Sequence, residues 1–194
     1  NVAKSRECEL ARIYKFITLI LKMKPDEHEF KVMGLSAYSK KKYILDIYNK
    51  VFKKILKFDG LKIVHDVRPK DLFNFLLEKT IPYRFDNIAG GLQFYLEKIV
   101  TELLKRINKK YKVRNFYFSG GLSMNVKMYK DMGDLKFVDF IGVSPSGSDE
   151  SLSIGACYYL SKNTQTKPLT NIYIGKNLLE NNEQLNHHML GKFF

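Results

Sequence analysis

Asn115-Phe-Tyr-Phe-Ser119-Gly120-Gly121-Leu-Ser-Met-Asn125 is the stretch that decides the fold. A short apolar run stops at two glycines and then passes into a helical pattern. Glycines at a strand-to-helix turn let backbone N–H groups approach a phosphate or sugar, and the helix start favours negative charge. The spacing predicts a strand over 113–118 and a helix over 122–132. A strand over 137–142, a Ser/Pro/Gly loop over 144–148 and a helix over 149–161 follow. Strand–helix–strand–helix is a βαβα unit, so the expected outcome is an α/β fold with a parallel sheet and helices packed on it. A Gly-Gly turn is common on its own. Two further segments give it weight: Glu29-Phe-Lys31-Val-Met-Gly34-Leu-Ser-Ala37-Tyr38 upstream, and Pro145-Ser-Gly147-Ser148-Asp149-Glu-Ser-Leu-Ser-Ile-Gly155-Ala156 downstream.

Upstream of the turn the pattern is helical. Leu10, Ile13, Tyr14, Ile17 and Leu21 predict a helix over 7–23, which Pro25 helps to end. Residues 25–39 lack clean periodicity and read as an ordered loop with a short turn of helix. An amphipathic helix is expected over 40–57, then a turn at Asp59-Gly60, an extended piece over 61–64 and a helix opened by Pro69. The clearest helix is 86–109, with Asp86 as its N-cap and one broad apolar face running from Ile88 to Ile107. Gly90-Gly91 costs about 1 kcal/mol per glycine relative to alanine, so a close packing contact is expected there.

Composition bounds the function. The chain has 194 residues, 45% hydrophobic and 13% aromatic, enough for a sizeable core. No run of about 18 apolar residues exists, so no membrane helix is expected. Only two cysteines occur, Cys8 and Cys157, which read as small buried apolar residues in a reducing, cytoplasmic compartment. The formal net charge is +13. Of 33 basic residues only six are arginine, and the lysines are scattered along amphipathic helices. Arginine is the usual reader of bases and phosphates through two parallel bonds, so this distribution argues against a nucleic-acid partner. The charge would still draw in anionic small substrates.

The turns beside helix starts belong at the carboxyl ends of parallel strands, where ligands sit in open α/β sheets. Asp149 has two readings: an N-cap of the helix it opens, or a carboxylate facing a ligand cleft, able to hold a metal on bound phosphates. Lys31 also has two: a solvated surface residue, or a cation neutralising phosphate charge from a loop. Met33 and Tyr38 read as packing residues.

Taken together, these segments resemble the O-carbamoyltransferases of the nodulation-protein and antibiotic-tailoring type. Lys31-Val-Met-Gly34-Leu-Ser-Ala37-Tyr38 resembles that family's Lys-x-Met-Gly-Leu-Ala-x-Tyr segment. Asp86-Asn-Ile-Ala89-Gly-Gly-Leu-Gln93-Phe-Tyr-Leu-Glu97 is similar to its Asp-x-Ala-x-x-x-Gln-x-x-x-Glu helix. Ser119-Gly120-Gly121-Leu-Ser-Met-Asn125 looks like its Gly-Gly-x-x-x-Asn turn, and Pro145 through Ala156 matches its Gly-Asp-x-Gly-x-x-x-Gly-Ala element with changes. Order and spacing agree for all four, over roughly residues 10–175.

The resemblance implies an actin-like (RNase H-like) ATPase lobe, the second of two, over 1–175, with 176–194 as a tail or linker towards a C-terminal domain. It implies ATP and a divalent metal, iron or magnesium, as cofactors. Carbamoyl phosphate and a hydroxyl-bearing small molecule or sugar would be the substrates, joined through a carbamoyl-adenylate. Lys31, Ser119, Gly120, Gly121, Asn125 and Ser148 fall at nucleotide-binding positions, and Asp149 at a metal-ligand position. Ser148 and Ser151 stand where the family has glycine. The family's paired metal-binding histidines are not among His28, His65, His187 and His188. The start at Asn1 therefore reads as a cut, with an N-terminal lobe and a C-terminal domain lying outside the chain. An uncovered lobe surface favours self-association, so a homodimer is expected. Two other readings stay open: a nucleotide-binding or interaction lobe without chemistry, and a fragment of an actin-like sugar or acetate kinase.

Overall fold

The computed structural model describes residues 4–5, 8–66, 69–144, 146–147 and 150–161. In chain order they form α1 (Leu10–Ile20), α2 (Glu29–Leu35), a 3-10 turn (Ser36–Tyr38), α3 (Lys41–Ile47) and a π turn (Tyr48–Phe52). A hairpin of β1 (Leu56–Asp59) and β2 (Lys62–His65) follows, then α4 (Leu72–Thr80) and α5 (Phe85–Tyr111). The Gly-Gly region gives β3 (Asn115–Phe118), a 3-10 turn (Gly121–Met124), α6 (Val126–Gly133), β4 (Phe140–Val143) and α7 (Glu150–Leu160). Two units divide the chain, Asn1–Leu152 and Ser153–Phe194. The core and cleft described below belong to the first.

The long helix α5 organises that unit. Ile88, Leu92, Tyr95, Leu96, Ile99 and Leu104 are buried along it, and α1, α2, α3 and α6 pack around it. An apolar stripe this wide cannot sit at a surface, and each neighbour brings a matching face: Ile13 and Ile17 from α1, Val32 from α2, Ile47 from α3, Met128 and Met132 from α6. The expected close contact at the two glycines is present. A methyl group at Gly90 would lie 2.8 Å from Ser39 Cβ, and one at Gly91 only 2.2 Å from Ile47 Cγ2. Asp86 is not the N-cap. That position is Arg84, while Asp86 is buried in the first turn, 3.1 Å from the Arg84 guanidinium.

The parallel pairing read from the sequence is present. β3 and β4 run parallel in the register Asn115↔Phe140 to Phe118↔Val143, with α6 as the crossover. Main-chain bonds from Asp139 to Arg114 and from Ser144 to Phe118 extend the ladder at both ends. Among the described residues the fold is mixed α/β, with two separate two-stranded sheets rather than one larger mixed sheet. No helix among them is long and apolar enough to cross a membrane.

Four local readings are corrected. Residues 25–39 are mostly helical, as α2 and its 3-10 turn. Burial of Val32 and Ser36 outweighs the poor propensity of Gly34. The helix expected over 40–57 widens to a π turn and ends at Phe52; Leu56–Asp59 alternate between the two faces of a strand and pair antiparallel with Lys62–His65 around Gly60, whose φ is +60°. Cys8 and Cys157 are exposed, not buried, and Tyr38 projects into solvent.

Candidate ligand cleft

The strand–turn–helix stretch folds as the sequence demands. β3 delivers the chain to Gly120, whose φ of +101° lies in the region that favours glycine. Ser123 closes the turn by donating both its N–H (2.8 Å) and its hydroxyl (2.6 Å) to the Gly120 carbonyl. Asn125 then caps α6, its side-chain oxygen accepting from Met128 N at 3.2 Å.

This turn forms one wall of a cleft of about 640 Å³. Gly121, Leu122, Met124 and Asn125 face α1 residues Arg12, Tyr14 and Lys15 and the segment carrying Asp26, Glu27, Glu29, Phe30 and Met33. Two of the distant segments quoted from the sequence therefore line one cavity. The third reaches the same turn: a methyl group at Gly147 would lie 2.7 Å from Met124 Cγ, 2.8 Å from Ser123 Oγ and 3.1 Å from the Gly120 carbonyl oxygen. That loop backs directly onto the Gly-Gly bend.

Of the residues singled out, Gly121 and Asn125 line the cleft. Gly120 and Ser119 are exposed on the turn that shapes it. Lys31 is not among the lining residues; its ammonium lies 2.9 Å from His28 Nε2. Ser148 and Asp149 lie outside the described residues.

The cleft's charge is not the chain's. Its cations are already paired, Lys15 with Asp26 at 2.5 Å and Arg12 with Glu9. Glu29 accepts from the Asp26 N–H at 2.8 Å. The basic surplus is spread elsewhere, so the described lining offers hydrogen bonds and apolar surface more than free positive charge. No group of three or more His, Cys, Asp or Glu among the described residues could hold a metal ion.

Beneath the cleft lies a polar network that the motif reading did not resolve. Gln93, fully buried on α5, exchanges two hydrogen bonds with Asn125, at 2.8 and 3.0 Å. It also accepts from the Tyr14 hydroxyl (3.1 Å) and donates to Glu97 (3.0 Å). Lys127 stands 3.7 Å from Glu97 and donates to Ser36 Oγ at 3.1 Å, and Ser36 in turn donates to the Met33 carbonyl at 2.6 Å. The network thus ties the Gly-Gly turn to α2 through α5. Burial holds the Tyr14 hydroxyl well above its ordinary value and pushes the Glu97 carboxyl up as well. The available signal was Gln93 and Glu97 four residues apart within an otherwise apolar stripe, since buried polar groups require partners.

Two uncharacterized proteins of Methanocaldococcus jannaschii are similar to the chain. MJ1058 is 29% identical over 152 residues, covering 76% of this chain and 24% of that protein. MJ1051 is 29% identical over 166 residues, covering 84% of this chain and 32% of that protein. The chain thus spans about a quarter to a third of the length of these curated relatives. The family described as carbamoyltransferase N-terminus matches residues 5–158, which include the Gly-Gly turn, α5 and the Lys31–Tyr38 segment, and the chain belongs to that family.

Proposed function

We propose that this chain is the nucleotide-binding, actin-like lobe of an ATP-dependent O-carbamoyltransferase. The observation that carries the reading is the convergence, in a member of the carbamoyltransferase N-terminus family, of the Gly-Gly turn and the Glu29–Met33 segment on one cleft of about 640 Å³. That volume is in the range of small-ligand sites. A bare-backbone bend lets a ligand approach main-chain N–H groups, Asn125 adds a side-chain contact, and Phe30, 62% exposed at the rim, offers an aromatic face.

In this reading ATP occupies the cleft. Carbamoyl phosphate gives up inorganic phosphate to water, the carbamate so formed attacks the α-phosphorus of ATP with pyrophosphate leaving, and the acceptor's hydroxyl then takes the carbamoyl group from the adenylate and releases AMP. The described residues do not provide a ligand set for the divalent metal, and Asp149 is its proposed ligand. Carbamoyl phosphate, the hydroxyl-bearing acceptor, an N-terminal lobe, a C-terminal domain, a homodimer and a cytoplasmic setting belong to the same proposal.

Titration calorimetry of this chain with ATP and magnesium tests the binding half. Saturable one-site binding, lost when Gly121 is replaced by Val, is the expected result, and no heat at millimolar ATP sinks the reading. For the chemistry, a longer protein containing this chain should release pyrophosphate only when carbamoyl phosphate is supplied. Transfer of phosphate to the acceptor without carbamoyl phosphate would instead mark a kinase.

A further inference from the structure

An ion pair between exposed side chains holds its cation loosely, because water competes for both ends. Two cations stand among the described residues that line the cleft, Arg12 and Lys15 of α1, and each rests on an acid. The two pairs are not alike. Arg12 is held by Glu9, whose side chain is 20% exposed and whose other carboxylate oxygen lies 2.9 Å from Nε2 of the buried His65 side chain. Lys15 is held by Asp26, on the loop before α2, and these side chains are 47% and 72% exposed. Among the described residues no other hydrogen bond or ion pair reaches the Lys15 ammonium or the Asp26 carboxylate. The main chain beneath Asp26 is fixed separately. Its φ is +67°, and its N–H donates to Glu29 Oε1 at 2.8 Å. The carboxylate can therefore release Lys15 while the backbone that carries it stays in place.

We infer that Lys15 is a cation held in reserve, which changes partner from Asp26 to a phosphate oxygen when a polyphosphate ligand enters the cleft. Asp26 is already largely hydrated, so its release costs little, and a polyphosphate offers the ammonium more negative charge than one carboxylate does. Lys15 then binds the ligand and Asp26 competes with it for the same cation. The two residues act on affinity with opposite sign. Where the ligand is ATP the inference rests on the function proposed above; for a bare polyphosphate it does not, and the experiment uses both.

Calorimetry of the chain with magnesium and either ATP or tripolyphosphate tests it. Lys15→Met should weaken ATP binding about tenfold, the scale of one charge-assisted bond. Asp26→Asn should tighten it about two- to fivefold, the worth of an exposed pair. Asparagine tolerates the left-handed conformation as aspartate does and keeps the N–H that Glu29 accepts, so this variant keeps the local fold. In the double variant the gain from Asp26→Asn should vanish, since no cation is left to release. A pair that only braced the cleft would lower affinity whichever partner was removed. Unchanged ATP affinity in Lys15→Met overturns the inference and leaves the ATP reading standing. Unchanged or lowered affinity in Asp26→Asn does the same. So does a gain that persists undiminished in the double variant, which would mark a general field and no exchange of partners. If the wild-type chain binds tripolyphosphate but not ATP, the ATP reading falls, and the same three variants measured with tripolyphosphate decide the role of Lys15. Binding of neither probe overturns both.

Discussion

Gly147 and Ser123 pack so closely that a methyl group on the glycine would lie 2.8 Å from the serine hydroxyl oxygen. The same methyl would meet the Gly120 carbonyl at 3.1 Å, and main chain cannot step aside as a side chain can. The loop after β4 is therefore held against the bend after β3 by the absence of a side chain. Gly147→Ala should cost about 1–3 kcal/mol, the usual range for overpacking. A denaturant titration read by circular dichroism measures it. Adding Met124→Ala relieves the 2.7 Å contact and should recover only part of the loss, because the carbonyl remains. Full recovery would show that the backbone is not the obstacle.

The glycines of the helices divide into two kinds, and substitution separates them. A methyl group at Gly91 would lie 2.2 Å from Ile47 Cγ2, on the stiff branch of a β-branched side chain. Gly34, within α2, has nothing within 4 Å of the position a methyl would take. Gly91→Ala should thus destabilise by about 1–3 kcal/mol through overpacking. Gly34→Ala should stabilise by up to about 1 kcal/mol through helix propensity. Thermal melts of the two variants should move in opposite directions. A shared direction would mean that the packing between α3 and α5 is looser than these distances state.

The sequence was most readable where one signal dominated. The broad apolar face of α5 and the run Asn115–Phe118 broken by Gly120 each had a single consistent pattern, and both elements formed within a few residues of the expected bounds. Reading failed where tertiary burial overrode local preference. Gly34 and the small residues around it spoke for a loop, yet Val32 and Ser36 are buried and the segment is helical. Lys53 and Lys54 continue a helical pattern on paper, but pairing with Lys62–His65 makes a strand from Leu56 on. For the cleft, the Gly-Gly turn and the Lys31–Tyr38 segment were visible as motifs, and the structure brings the turn and Glu29–Met33 together. The direction of Lys31 and the pairing of Gln93 with Asn125 depend on contacts between elements 32 or more residues apart or on local rotamers, which no spacing encodes.

Glu97 makes the buried network sensitive to pH, in a direction that can be worked out. Burial is the first cause raising its carboxyl above the ordinary value of 4.5, with Asp131 adding to the rise and Gln93 and Lys127 opposing it. Folding therefore favours the protonated form. The stability this group contributes is complete below pH 4.5 and is lost as pH rises through the higher folded value. Glu97→Gln should remove that slope, so the difference in unfolding free energy between wild type and variant should change across this window and be flat well above it. Lys127→Met withdraws an opposing cation 3.7 Å away and should move the window to higher pH. Equilibrium unfolding in urea at intervals from pH 4 to 8 measures both. If the wild type and Glu97→Gln run parallel throughout, Glu97 does not titrate differently in the folded chain.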